Sequence, residues 1–97
     1  MTVKDLLIAA KAHLQKVGWK QGGGDNWDTK PTCAFDAIFG FLGLASFALI
    51  QKAQNKLADA AGISHDIEDC FVWNDDPNRT EEEVLATFDK AIASCEE

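Results

Sequence analysis

Apolar residues recur at helical spacing along most of the chain, and no run alternates in the way of a β-strand. Val3 to about Val17 carries an apolar stripe between Thr2, a candidate N-cap, and Gly18, which follows the predicted helix end. Phe47 to Ala61 repeats this pattern and ends before Gly62. The residues predicted to be buried in these two helices are Val3, Leu6, Leu7, Ala10, Leu14, Val17, Phe47, Ile50, Leu57 and Ala61.

Three further helices are predicted. One begins near Thr32 or Cys33 and reaches about Leu44; it is apolar on all sides, as expected for a central element. A short helix from Asp66 to Val72 has Ser64 as its cap. The last helix runs from Glu81 to about Ser94, with Thr80 and Glu83 spaced as a capping box. Its predicted buried residues are Val84, Leu85, Phe88, Ala91, Ile92 and Cys95. The expected fold is an all-α, compact bundle of four to five helices, in a single domain over residues 1–97.

The uncharged run from Ala37 to Ile50 is the one segment that resembles a membrane span. As a helix, fourteen residues rise only ~21 Å, short of the ~30 Å hydrocarbon core. We therefore predict a buried helix followed by a bend, and no membrane contact. Residues 20–31 form a predicted loop, since three consecutive glycines disfavour a helix, and we expect its Trp27 to fold back onto the core.

Negative charge is concentrated in the last third of the chain. The net charge of −7 divides into +2 for residues 1–61 and −9 for residues 62–97. This balance argues against direct binding to nucleic acid, which needs a basic surface. A solvated face is the default interpretation, and a docking surface for a basic protein partner is the functional one. The carboxylates concerned are Asp66, Glu68, Asp69, Asp75, Asp76, Glu81, Glu82 and Glu83.

The cysteines indicate a reducing compartment. Cys33, Cys70 and Cys95 cannot all pair within the chain, and they form neither a CxxC motif nor a zinc-site spacing. We expect reduced thiols in a cytoplasmic protein without an export signal. No cofactor and no metal are expected: Asp25–Asp28 and Asp75-Asp76 offer oxygens, but the calcium-loop pattern is absent.

Cys33 is the sharpest candidate for catalysis. A thiol in the first turn of a helix lies at the positive end of the helix dipole, which stabilises thiolate. Gln21 loosely resembles the oxyanion-hole glutamine of papain-like proteases. The base would have to be His13 or His65. His13 lies beside the apolar stripe of its helix, which favours a structural role. His65 lies at a helix start, where the dipole favours its neutral form. We favour Cys33 as a small buried hydrophobe, with a cysteine-dependent hydrolase or transferase as the alternative.

Trp73, Asn74 and Asp75 form a second candidate site. In the structural interpretation, Trp73 packs on the bundle while Asn74 or Asp75 bonds to nearby backbone. In the functional interpretation, a polar site lies beside an aromatic wall, provided that the loop holding Trp19 and Gln21 meets it in space. Arg79 is expected to pair with a carboxylate. The candidate binding residues are Trp19, Gln21, Trp73, Asn74, Asp75, Asp76, Arg79, Glu81 and Glu82.

Three motifs together resemble a known family. They are GWKQG at residues 18–22, Cys33-Ala34 opening an apolar helix with Gly40, and WNDDPNRTEEEVLA at residues 73–86. They resemble a small, uncharacterised domain family of actinobacteria and their phages, with the pattern GWxQG, CA-x-GA and WNDxPxRTxEEVLA. The chain departs from that pattern in two ways: the helix that begins near Thr32 or Cys33 reads CAFDAIFGF, and the chain has one arginine. The resemblance implies the fold and supplies no activity.

The leading hypothesis is a non-catalytic, acidic protein-binding module whose partner has a basic surface. Its specific version is a phage-encoded inhibitor of host defence, of the anti-CRISPR type. A purely structural domain that self-associates is a third possibility, and the oligomeric state stays open.

Overall fold

Five α-helices are present in the part of the chain that the computed structural model describes, residues 1–22 and 30–95. They are α1 (Val3–Val17), α2 (Ala34–Phe39), α3 (Phe47–Ala61), α4 (Ile67–Asp75) and α5 (Glu81–Ala93). These residues form no β-strand, and only two isolated bridges occur, one of which joins Trp19 to Thr32. The radius of gyration is 11.9 Å, near the ~12.5 Å expected for a compact chain of this length. The predicted all-α bundle is confirmed.

Local capping explains why α1 and α3 have the predicted bounds. The Thr2 hydroxyl accepts from the Asp5 amide at 3.0 Å, and the Asp5 carboxylate accepts from the Thr2 amide at 3.2 Å, so a capping box opens α1. Ser46 caps α3 through the Leu49 amide. Gly62 closes α3 in the left-handed conformation, with φ 75°, which a glycine adopts without strain.

Helix α2 is shorter than predicted. It begins after Cys33, which serves as N-cap, and ends at Phe39 instead of about Leu44. The chain then makes turns up to Ser46, and Gly43 has φ 101°, which breaks the helical path. Leu44 in this turn is 77% exposed. The apolar run from Ala37 to Ile50 is therefore partly surface.

Helix α4 begins and ends later than predicted. Its N-cap is Asp66, whose carboxylate accepts from the Glu68 amide at 2.9 Å, and not Ser64. The helix continues past Val72 to Asp75. Its last turn therefore holds the WND motif, which the sequence placed in a connector.

Helix α5 has the predicted start but only half of the predicted capping box. The Thr80 hydroxyl accepts from the Glu83 amide at 3.2 Å. The Glu83 carboxylate instead accepts from Arg79 Nη1 at 2.7 Å, so the reciprocal bond of the box is a wrong prediction. The helix ends at Ala93, with Ser94 as its C-cap.

The core lies between α1, α2, α3 and α5, and α4 packs against α2. Phe35 of α2 and Trp73 of α4 meet edge to face, with ring centroids 6.2 Å apart. The prediction for Phe47 is wrong: this first residue of α3 is 59% exposed. Several predicted core residues are only half-buried: Val3, Val17, Ala61, Leu85, Ile92 and Cys95. Among the described residues, no helix has the length and apolar character needed to span a bilayer.

Candidate functional site

The loop after α1 lies against the C-terminal end of α4. Trp19 Nε1 donates to Asn74 Oδ1 at 2.7 Å, and the Gly22 amide donates to Asp75 Oδ1 at 2.8 Å. The Gln21 side-chain amide donates to the main-chain oxygens of Asn74 and Asp76. The GWKQG and WND motifs therefore meet, in what we call the junction: residues 19–22 together with residues 73–76.

Asn74 is the centre of the junction. Its side chain is fully buried, and its oxygen also accepts from the Ala34 amide at 3.0 Å. Its Nδ2 donates to the Lys20 carbonyl at 3.2 Å and to Asp75 Oδ1 at 3.0 Å. Both donors and both acceptor positions of this amide are thus used. One side chain ties together the loop after α1, the start of α2 and the end of α4.

The same loop is fixed on its other side by the residues that lead into α2. The Lys20 amide donates to the Thr32 carbonyl at 3.1 Å, and the Thr32 amide donates to the Gly18 carbonyl at 3.0 Å. Gly18 has φ 97°, and a Cβ there would lie 3.6 Å from the Pro31 ring. Because residues with a side chain rarely adopt this φ, the glycine that ends α1 also sets the path of the loop into the junction.

Arg79 holds the connector between α4 and α5 against Trp73. Its Nε donates to the Trp73 carbonyl at 2.9 Å, and its guanidinium lies 4.3 Å from the Trp73 ring centroid. Its Nη1 pairs with Glu83 at 2.7 Å, while Asp76 is more distant at 4.0 Å. The geometry combines a cation–π contact with charge-assisted hydrogen bonds, and Arg79 does pair with a carboxylate as predicted.

Glu81 and Glu82 are neighbours in the sequence, but their carboxylates have different contacts. Glu81 Oε1 accepts from the Trp19 amide at 3.1 Å, so this carboxylate belongs to the junction. Glu82 is exposed, and its carboxylate forms no hydrogen bond or ion pair with the described residues. Eight of the nine predicted binding residues are therefore in contact at or beside the junction, and Glu82 stands apart.

The three motifs thus belong to one structural unit that extends along nearly the whole chain. The sequence pattern of an established family matches residues 1–94. The chain belongs to a family of unknown function, DUF6197. Comparison with characterised proteins and with solved structures gives no match.

In this family member, most polar groups of the motifs are used internally. Asn74 is fully buried with every polar position of its side chain bonded, so it offers no free polar atom to a ligand, and Trp73 is only 8% exposed. Among the nine predicted binding residues, the exposed ones are Gln21, Asp75, Glu81 and Glu82. Beside Asp75 and Asp76 lies a shallow depression of about 410 Å³, lined on its apolar side by Phe71, Val72 and Pro77.

Cys33 has the environment of a core residue. It is 1% exposed, and its Sγ accepts from the Asp36 amide at 3.3 Å as the cap of α2. Burial raises the pKa of the Cys33 thiol to about 12, and the hydrogen bond from the Asp36 amide, which lowers it, does not compensate. The thiol is therefore neutral at pH 7, and the helix start does not produce a thiolate.

The other members of the proposed catalytic set have different contacts. The His13 ring packs edge to face on Phe41, with centroids 6.3 Å apart, and His65 Nε2 lies 2.7 Å from Asp59 Oδ1. Gln21 is bonded to the end of α4. These contacts do not bring Gln21, His13 and Cys33 into one constellation.

No group of three potential metal ligands occurs in the described ranges. Asp75 and Asp76 are bonded within the protein: Asp75 to Gly22 and Asn74, and Asp76 to the Asn78 amide. The other oxygen-rich segment, Asp25–Asp28, and the loop residue Trp27 lie outside the described residues.

The structure also has an exposed apolar surface that the helical periodicity did not indicate. Phe39, Phe47, Ile67 and Phe71 are 37–59% exposed, and all four line one groove of about 400 Å³ between α2, α3 and α4. The sequence does contain a signal: the run from Ala37 to Ile50 has more apolar residues than a glycine-broken segment can bury.

Proposed function

We propose that this protein is a non-catalytic protein-binding module whose acidic segment, residues 66–83, engages a basic surface of a host protein. Eight carboxylates lie within these eighteen residues, on α4 and its N-cap, the connector and the first turn of α5. Arg79 is the only cation among them. Electrostatic attraction of this kind accelerates association with a basic partner and selects against acidic ones.

The position of Arg79 supports the proposal most directly. Its side chain is 16% exposed, and its guanidinium is committed to Trp73 and Glu83. It therefore pairs with Glu83 and, at 4.0 Å, with Asp76, and the other six carboxylates of the segment have no Lys or Arg partner from within residues 62–89. The carboxylates of Glu68 and Glu82 form no ion pair with the described residues, and both are exposed.

The contacts of the glutamates decide which of them can be changed in a test. Glu81 holds the Trp19 amide and Glu83 holds Arg79, so charge reversal there would disturb the junction itself. Glu68 and Glu82 have exposed side chains without such contacts. Neutralising this pair changes the acidic surface and leaves the fold intact.

The experiment compares two double variants with the same net charge. Glu68→Gln/Glu82→Gln changes the charge from −7 to −5, since two negative charges are removed. Ala12→Lys/Gln15→Lys also gives −5, since two positive charges are added at exposed positions of α1. The tagged chains are incubated with the lysate of an actinobacterial host, and captured proteins are quantified by mass spectrometry.

We expect one set of basic host proteins to be captured by the wild type and by the α1 variant, and less by the Glu68/Glu82 variant. At ~0.2–1 kcal/mol for each exposed pair, the apparent affinity falls by ~2- to 30-fold. Capture should also fall between ~0.1 M and ~1 M salt, as the Debye length shortens from ~10 to ~3 Å. Equal capture by both variants, independent of salt, would refute the acidic docking surface.

A phage-encoded inhibitor of host defence is the specific form of this proposal. It is supported by the resemblance of the GWKQG and WND motifs to a domain family of actinobacteria and their phages, and by the acidic segment. Expression of the chain in a host that carries an active defence system should raise the plating efficiency of a sensitive phage. If the plating efficiency stays unchanged with every defence system of that host, the protein is not an inhibitor of host defence. The proposal of an acidic protein-binding module would then still stand.

The alternative of a cysteine-dependent enzyme has no comparable support. Nucleophilic catalysis requires an accessible thiolate and a base within hydrogen-bond reach. Cys33 is buried with its pKa raised to about 12, and its Sγ is engaged with Asp36. We therefore do not propose a catalytic function.

A further inference from the structure

A groove with exposed apolar walls lies between α2, α3 and α4. Its walls include Phe39 from α2, Phe47 from α3, and Ile67 and Phe71 from α4, with exposures of 44%, 59%, 44% and 37%. Single exposed apolar side chains are normal on protein surfaces, but several from different helices around one depression mark a binding surface. The volume of about 400 Å³ accommodates several apolar side chains of a partner.

The electrostatic environment of this groove is negative. Within the described part of the chain, no lysine or arginine lines it, and Asp36 contributes a carboxylate. The ring of His65 faces the Asp59 carboxylate at 2.7 Å. Cys70 lies in the groove lining at 2% exposure, and the pKa of its thiol is raised first by burial and then by the negative charges of Asp69 and Asp66.

The backbone around the groove favours a helical occupant over an extended one. Nine of the ten lining residues belong to α2, α3 or α4, and the tenth, His65, lies just before α4. Helical backbone offers no free strand edge with which an extended peptide could pair. An amphipathic helix satisfies its own backbone hydrogen bonds and needs only an apolar face for the groove.

We propose that the groove binds an amphipathic helix of the partner protein, with aliphatic or aromatic side chains on one face and Lys or Arg along its borders. The apolar face would cover Phe39, Phe47, Ile67 and Phe71. The basic borders would meet Asp36, which lines the groove, and the negative charge of Asp66 and Asp69 near Cys70. This inference rests on the proposed function, since it gives the chemistry of the partner segment that the acidic segment attracts.

The test uses peptides selected without reference to any known partner. A library of random peptides of about eighteen residues, displayed on a carrier, is selected against the full chain. The enriched sequences are synthesised, and their dissociation constants are measured by fluorescence anisotropy. We expect them to share apolar residues at i, i+3, i+4 and i+7, with Lys or Arg between these positions.

Matched variants locate the site of binding. Ile67→Ser removes a groove side chain that is 44% exposed, and Ile8→Ser removes one that is 46% exposed on α1, outside the groove. Phe47→Ser is matched by Leu44→Ser, since Leu44 is exposed and does not line the groove. All four side chains lie at the surface, so we expect every variant to fold, which far-UV circular dichroism verifies. Each groove variant should weaken binding by at least about tenfold, and each control by less than about twofold.

Several outcomes would overturn the proposal. The first is a selection that enriches no peptides, or only peptides without basic residues. The second is that Ile67→Ser and Ile8→Ser bind the selected peptides with equal affinity. A dimer of the free chain that dissociates on Phe47→Ser would assign the groove to a second copy. An apolar small molecule retained by the purified chain, and lost in that variant, would assign it to a ligand. Either result contradicts a helical partner.

The two proposals fail in different ways. If selected peptides lose affinity with Glu68→Gln/Glu82→Gln but not with Ile67→Ser, the acidic docking surface stands and the groove inference falls. If the groove variants alone reduce affinity, and salt has no effect, the groove binds an apolar segment and the basic borders of the proposal are wrong. Loss of affinity both in the groove variants and in Glu68→Gln/Glu82→Gln supports the inference.

Discussion

Replacement of Asn74 by alanine should destabilise the fold more than any other single change in the junction. The side chain is fully buried and makes four hydrogen bonds: three to two segments that are distant in sequence, and one to the neighbouring Asp75. Asn74→Ala removes all four at once and introduces no new partner. The junction would lose the side chain that joins the loop after α1, the start of α2 and the end of α4.

The magnitude follows from the groups left behind. The Ala34 amide and Trp19 Nε1 would both lose their acceptor, and an unsatisfied buried donor costs ~1–3 kcal/mol. We therefore expect a loss of ~2–6 kcal/mol. A domain of this length has a free energy of unfolding of ~5–15 kcal/mol, so the variant would be close to unfolding at 25 °C.

The assay is urea unfolding followed by circular dichroism, with Asn78→Ala as the control. Asn78 is an exposed asparagine of the same connector, and its substitution should change the free energy of unfolding by less than ~0.5 kcal/mol. If Asn74→Ala were as stable as Asn78→Ala, the junction would not contribute to the stability of the fold.

Asn74→Asp separates hydrogen bonding from simple loss of volume. The aspartate keeps the acceptor for Trp19 and Ala34 but, when ionised, faces the Lys20 carbonyl and Asp75. Burial and the neighbouring negative charge would raise its folded-state pKa above the unfolded value of ~3.9. Its contribution is then retained below that unfolded pKa and lost as pH rises, so the deficit relative to wild type should shrink on acidification toward pH ~4. A deficit independent of pH would contradict this account.

Three further predictions concern the cysteines and Arg79. Burial raises the pKa of Cys33 from 9.0 to about 12, so as the pH rises the thiol ionises in the unfolded chain before it ionises in the folded one. Above pH ~9 the free energy of unfolding should therefore fall more steeply with pH in the wild type than in Cys33→Ala. Equal slopes for the two proteins would refute the burial of this thiol. In the native protein at pH ~8, iodoacetamide should label half-buried Cys95 before Cys33, as site-resolved mass spectrometry can show. Arg79→Lys should reduce the free energy of unfolding by ~1–2 kcal/mol, since it loses the Nε bond to the Trp73 carbonyl and the planar stacking on the Trp73 ring. The exposed Lys90→Arg serves as its reference in the same urea titration, and equal stability would show that the stacking contributes nothing.

The ends of the helices were largely determined by local sequence. Thr2, Ser46 and Thr80 each cap a helix through the amide three residues later, and Gly18 and Gly62 adopt positive φ values after α1 and α3. These are interactions between residues close in the chain, so they can be inferred from the spacing of a few residue types. The periodic stripe of α1 likewise identified its buried face, because the position of a side chain around a helix follows from its number.

The tertiary structure alone decided what the signature residues contact. Asn74 bonds to residues forty and more positions away, and the Glu83 carboxylate pairs with Arg79 because the guanidinium is already held over Trp73. Phe47 fits the apolar period of α3, yet it is exposed because the helix begins at the edge of the core, where none of the five described helices covers it. The pKa of Cys33 could not be predicted from the sequence for the same reason. The helix dipole at Cys33 is a local property, whereas the burial that raises its pKa depends on how the other helices pack.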